Sequence, residues 1–81
     1  MTAPPAPDAA TLDCLGRACP VPVIELAKAI TELAVGDEIV VIADDPGAKV
    51  DIPVWCRMKQ QELLGVEVDG SVYRFRVRRA V

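Results

Sequence analysis

The sequence predicts an α/β (α+β) two-layer sandwich of order β-α-β-α-β-β, a four-stranded mixed sheet covered by two helices on one face. Three observations lead there. Between residues 11 and 43 an apolar run, an amphipathic segment and a β-branched run follow one another, the pattern of a right-handed parallel crossover. Near the end, Asp69-Gly70 separates two alternating segments, the strongest short hairpin signal. Two helices cover only one face of four strands, so the other face stays wet.

Taken in order, residues 1–10 hold three of the seven prolines and no hydrophobic period, and are expected to be a flexible leader to a domain spanning 11–81. The run 11–15, closed by Gly16, reads as the first strand. Over 22–34, Val23, Leu26, Ala27, Ile30, Leu33 and Ala34 recur at helical spacing with Glu25, Lys28 and Glu32 opposite, and Gly36 ends the helix. The continuous run Ile39-Val40-Val41-Ile42 suits a central strand over 38–43. After the turn Asp44-Asp45-Pro46-Gly47, Asp51 with Pro53 reads as the N-cap and first turn of a second helix running to about Leu63. Its stripe is Ile52, Cys56 and Leu63, with Trp55 beside it, Lys59 reaching to water and Gly65 as the exit. In the final strand Tyr73, Phe75 and Val77 face the core, and Arg74, Arg76 and Arg78 face outward.

Composition narrows the function. The 81 residues are 52% hydrophobic, and Trp55, Tyr73 and Phe75 are the only aromatic residues, so the core is aliphatic. Nine basic against twelve acidic residues give a net charge of -3, which argues against direct nucleic-acid or membrane-surface binding. With neither a run of about 18 apolar residues nor a signal-peptide pattern, the chain is expected in the cytoplasm. There is no histidine, so no Cys-His or Ser-His couple and no His-ligated metal can be built from this chain alone. Three cysteines at scattered spacing fit neither a disulfide scaffold nor a zinc site, and no metal or cofactor is expected.

Chemistry concentrates in Gly16-Arg17-Ala18-Cys19-Pro20-Val21-Pro22, which puts a cysteine in a strand-to-helix turn. Pro20 and Pro22 fix the backbone of the first helical turn, and the helix amides, the helix dipole and Arg17 are expected to favour the Cys19 thiolate. No proton acceptor is evident nearby, so Cys19 suits exchange at sulfur better than acyl transfer. Asp44 and Asp45 fall on the same sheet edge as Cys19, where they shape a turn, contact a partner or hold Arg17. Cys56 and Cys14 read as packing residues, with a Cys14-Cys19 disulfide as an alternative for a redox sensor. Arg79 is grouped with the other arginines as a solvated strand face.

The stretch Leu12-Asp13-Cys14-Leu15-Gly16-Arg17-Ala18-Cys19-Pro20-Val21-Pro22-Val23 resembles the signature of the TusA-like (SirA-like) sulfur-carrier family, with its C-P-x-P motif. Gly36-Asp37, Ile42-Ala43-Asp44-Asp45-Pro46, Asp51-Ile52-Pro53, Cys56, Glu62-Leu63 and Asp69-Gly70 with Tyr73-Arg74 extend the resemblance over 11–79. It implies the same fold and a sulfurtransferase acting only with partners. Cys19 would accept sulfane sulfur as a persulfide from a cysteine desulfurase or rhodanese-type donor and relay it to an acceptor protein thiol. The destinations implied are tRNA 2-thiouridine, molybdenum cofactor or other sulfur metabolism. The chain departs from the family pattern at Cys14, where a small non-thiol residue is usual, and in its proline-rich leader. An alternative is a non-catalytic protein-interaction or RNA-binding module working through the Arg74, Arg76 and Arg78 face.

Overall fold

The structure, a computed structural model, describes residues 10–81. The expected leader lies outside the described residues except for Ala10, which opens the first strand. The elements β1 (Ala10–Cys14), α1 (Val21–Ile30), β2 (Glu38–Ala43), α2 (Pro46–Met58), β3 (Glu62–Asp69) and β4 (Val72–Arg78) follow in the expected order. The sheet order is β1-β2-β4-β3, with β1 parallel to β2 and β4 antiparallel to both of its neighbours.

Alternation along the strands builds the core. Cys14, Ile39, Val41, Ala43, Phe75 and Val77 lie on one sheet face beneath Leu26 and Ile30 of α1 and Ala48, Ile52 and Cys56 of α2. Pairing Phe75 with Val41 and Val77 with Ile39 turns Arg74, Arg76 and Arg78 to the opposite face. There Arg76 meets Glu38 at 3.8 Å, Arg78 pairs with Glu62, and Glu67 stands opposite Arg74 in the β3–β4 register. The cationic stripe is thereby matched with carboxylates, the opposite of what a phosphate-binding surface requires. Arg79 leaves that face. Its guanidinium donates to the carbonyls of Ile30, at 3.3 Å, and Leu33, where a cation complements the C-terminal end of α1.

Several boundaries differ from expectation, four of them with consequences for the packing or the site. Helix α1 stops at Ile30 rather than Ala34, because the N–H groups of Thr31, Glu32 and Leu33 reach back three residues, to Lys28, Ala29 and Ile30, in tighter turns. Helix α2 begins at Pro46 rather than near Asp51. Asp45, in extended conformation at φ -88 and ψ 127, is its N-cap and Pro46 its first residue, so the same Asp-then-Pro logic is satisfied earlier in the chain. Pro53 consequently lies inside the helix, where it cannot donate the usual backbone bond.

The helix ends at Met58 rather than near Leu63. Gln60, at φ +59, takes the left-handed position, while Gln60 N–H donates to Arg57 O at 3.4 Å and Gln61 N–H to Cys56 O at 2.9 Å. These bonds form a Schellman exit with glutamine where glycine is usual, which is why the sequence points to Gly65 instead. Lys59 is the exposed C-cap, and Leu63 belongs to β3 opposite Val77. The hairpin loop is Gly70-Ser71, one residue later than Asp69-Gly70, because Asp69 still pairs with Val72. Among the described residues no helix is long and apolar enough to cross a membrane.

Phe75, with none of its surface exposed, is the large side chain at the centre of the layer contact. Phe75→Ala should cost about 3–5 kcal/mol. Arg76→Ala, which removes a partly solvated ion pair, should cost less than about 1 kcal/mol. Urea denaturation checks both, and a reversed ranking would mean that β4 presents its other face to the helices.

Candidate functional site

Because β1 and β2 are parallel, they end at the same edge of the sheet, and the segments that follow them meet there. Gly16, at φ +74, turns the chain after β1, and its N–H donates to both carboxylate oxygens of Asp44, at 3.0 and 3.2 Å. The N–H of Cys19 donates to Asp45 Oδ2 at 2.9 Å. Asp44 and Asp45 therefore do not engage Arg17; they hold the backbone of the cysteine loop. Asp45 makes no side-chain cap bond to its own helix, its carboxylate being committed to Cys19.

Gly47 allows the two segments to come so close. A Cβ there would lie 2.8 Å from Asp45 Oδ2, 2.8 Å from Cys19 Cβ and 3.3 Å from Cys19 Sγ. Starting α2 at Pro46 also places Asp51 one turn beyond Gly47 on the same helical face. From there its Oδ2 accepts a hydrogen bond from Cys19 Sγ. The hydrogen-bond acceptor that the sequence does not reveal is thus Asp51, which lies inside α2 rather than at its N-cap. Recognising Asp45-Pro46 as the helix start would have exposed the Gly47-Asp51 spacing.

This geometry reverses the expected electrostatics of Cys19. Its thiol pKa is raised, first by the hydrogen bond to the Asp51 carboxylate, then by desolvation and by the negative charges of Asp51 and Asp45. The start of α1 offers little to oppose them. Its N-cap is Pro20, with no side-chain cap bond, and Pro20 and Pro22 carry no N–H. The Val21 N–H is taken by Ala18 O at 2.9 Å, and the Cys19–Pro20 peptide is cis. Pro22 is buried in the core, whereas Pro20 is exposed beside Cys19. Arg17 is exposed, and its charge acts on Cys14, where it offsets part of an upward shift caused mainly by burial.

Of the three cysteines, all free, only Cys19 is exposed. Cys14 and Cys56 are core residues at 1% and 2% exposure, and burial pushes the Cys56 thiol up to about 11. Next to Cys19, Pro20, Val23, Asp51, Val54, Trp55 and Met58 line a shallow, mainly apolar depression between the helices. Val54 and Met58 stand 43% and 72% exposed on its rim, another feature that sequence spacing did not announce. Among the described residues no cluster of three or more His, Cys, Asp or Glu side chains is arranged to hold a metal ion.

Comparison with known proteins adds a family and a structural relative. Residues 10–79 match the family profile described as "Sulfurtransferase TusA". Among solved structures, the SirA-like protein from Desulfitobacterium hafniense superposes with a TM-score of 0.71 at 28% identity, covering 88% of this chain and 97% of the other.

A raised pKa means that the Cys19 thiolate appears only at higher pH than for a free thiol. Alkylation by iodoacetamide, followed peptide by peptide, should therefore reach its half-maximal rate at Cys19 above the pH found for a free cysteine. Cys14 and Cys56, being buried, should react more slowly throughout. A half-maximum below the free-thiol value would show that the helix start dominates over Asp51 and Asp45.

Proposed function

This chain belongs to the sulfurtransferase TusA family, and from that membership and the geometry of the Cys19 loop we propose that Cys19 carries sulfane sulfur as a persulfide between proteins. A sulfur-carrier role in general follows from the family. The observation that carries the assignment to Cys19 is that it alone of the three thiols is exposed, on a loop tied by Asp44 and Asp45 to the neighbouring segment. Exchange at sulfur needs an accessible sulfur on a rigid support and no acyl-transfer machinery.

In loading, Cys19 Sγ attacks the outer sulfur of a donor persulfide. A new sulfur–sulfur bond forms, the donor's own bond breaks, and the donor cysteine leaves as a thiolate that takes up the proton lost by Cys19. Unloading repeats the exchange with an acceptor thiol. No net oxidation occurs in either direction. The donor is a cysteine desulfurase or rhodanese-type protein, and the acceptor is another protein's cysteine. The downstream product is thiolated tRNA, molybdenum cofactor or another sulfur compound. A reducing cytoplasm suits three free thiols. The apolar depression beside Cys19 supports docking of both partners at the reacting sulfur. The matched charges on the outer sheet face favour this reading over an RNA-binding one.

Incubation with a cysteine desulfurase, cysteine and pyridoxal phosphate should add sulfur to the intact chain, and peptide mapping should find it on Cys19. Cys19→Ser should fold and carry none, while Cys14→Ser and Cys56→Ser should still load. Loading of Cys19→Ser to the wild-type level would refute the assignment.

A further inference from the structure

Three carboxylates serve the cysteine loop, and they are used differently. Asp44 accepts from the Gly16 backbone and Asp45 from the Cys19 backbone, whereas Asp51 makes its hydrogen bond to the reacting sulfur itself. Asp51 is half-buried on α2, and among the described residues it forms no salt bridge. The other residues lining the depression, Pro20, Val23, Val54, Trp55 and Met58, are uncharged. The charges that act on Cys19 are Asp51 from α2 and Asp45 from the turn before it, both negative.

The empty carrier presents a neutral thiol to this surrounding, and the loaded carrier presents an anion. The empty thiol donates a hydrogen bond to Asp51 and keeps its proton, a favourable contact. A persulfide is a stronger acid than the thiol it comes from, so the loaded form is largely a perthiolate anion, attached where two carboxylates already stand. That anion loses the hydrogen bond and meets like charge. We propose that Asp51 is a positioning residue that holds the empty carrier as a thiol and disfavours the loaded perthiolate, so that sulfur is handed on rather than retained. The proposal rests on the persulfide-carrier reading of Cys19.

The exchange with a low-molecular-weight persulfide balances. Glutathione perthiolate and the Cys19 thiol give the Cys19 perthiolate and glutathione thiol, with one sulfur–sulfur bond broken and one formed. The Cys19 proton ends on glutathione. Asp51 is unchanged overall, but its hydrogen bond stabilises only the reactant side.

The test compares the whole chain with Asp51→Asn and Asp51→Glu. Asparagine has nearly the helix propensity of aspartate, so the fold should persist, and circular dichroism checks this; Asp51→Ser serves if the asparagine chain melts. In the asparagine variant, iodoacetamide alkylation of Cys19 at pH 7 should be about three- to tenfold faster, and its pH profile should move to lower pH. Asp51→Glu, which keeps the carboxylate, should return the profile toward wild type. With glutathione persulfide and reduced glutathione at fixed ratio, the loaded fraction relative to empty should rise about three- to tenfold in Asp51→Asn. An unchanged pH profile would overturn the role of Asp51 in holding the thiol. A shifted profile with an unchanged loading ratio would overturn its role in release. If wild type takes no sulfur on Cys19, the carrier reading fails, and the release role falls with it. The pH profile still decides the thiol-holding role independently.

Discussion

The site depends on the close approach of two segments that leave adjacent parallel strands. Parallel pairing of β1 with β2 brings the loop containing Cys19 and the turn at Asp44 and Asp45 to one sheet edge. Two carboxylates then satisfy backbone N–H groups of the cysteine loop, and the missing Cβ of Gly47 lets α2 start directly against Cys19. Each interaction limits the others: a side chain at position 47 would displace Asp45 or Cys19. Asp51 reaches the sulfur only because α2 begins where it does. A chain of 81 residues, with little area to bury, thus holds its cysteine loop by hydrogen bonds at its rim and an aliphatic core beneath.

The same approach raises the pKa of the cysteine thiol. A helix N-terminus favours an anion through its unpaired N–H groups, but here two prolines lack that group and Val21 gives its own to Ala18. The carboxylate contact is closer and more direct than the dipole. A sulfur carrier differs in this respect from a cysteine enzyme. It forms no acyl intermediate and need not present a permanent thiolate, since either partner can bring the attacking or leaving sulfur into an ionised state. An exposed cysteine kept protonated is also less readily oxidised between encounters.

Much of the fold was legible because burial leaves a period in the sequence. β2 reads as a continuous β-branched run, α1 as a stripe through Leu26 and Ile30, and β4 as an alternation that places Phe75 and Val77 inward. The limits of α2 were not, for two physical reasons. Asp45-Pro46 and Asp51-Ile52-Pro53 offer competing starts, and local propensity does not choose between them. Gln60 takes a left-handed turn that glycine usually marks. The misplaced start hid Asp51, since a residue read as a cap is assigned to its own helix rather than to a neighbouring loop. Cys19, Pro20 and Pro22 were legible as a motif, whereas Gly47 is explained only by the atoms that approach it.

The central claim is that Cys19 holds sulfur in transit, which requires release as well as loading. The most direct measurement loads the chain with radioactive sulfur, removes the donor by gel filtration and mixes the carrier with an excess of a reduced protein that bears a single exposed cysteine. The account predicts that label leaves Cys19 and appears as persulfide on the acceptor cysteine, one sulfur gained for each lost, with the Cys19 thiol regenerated. Label that stays on the carrier, or leaves it only as free sulfide, would contradict it.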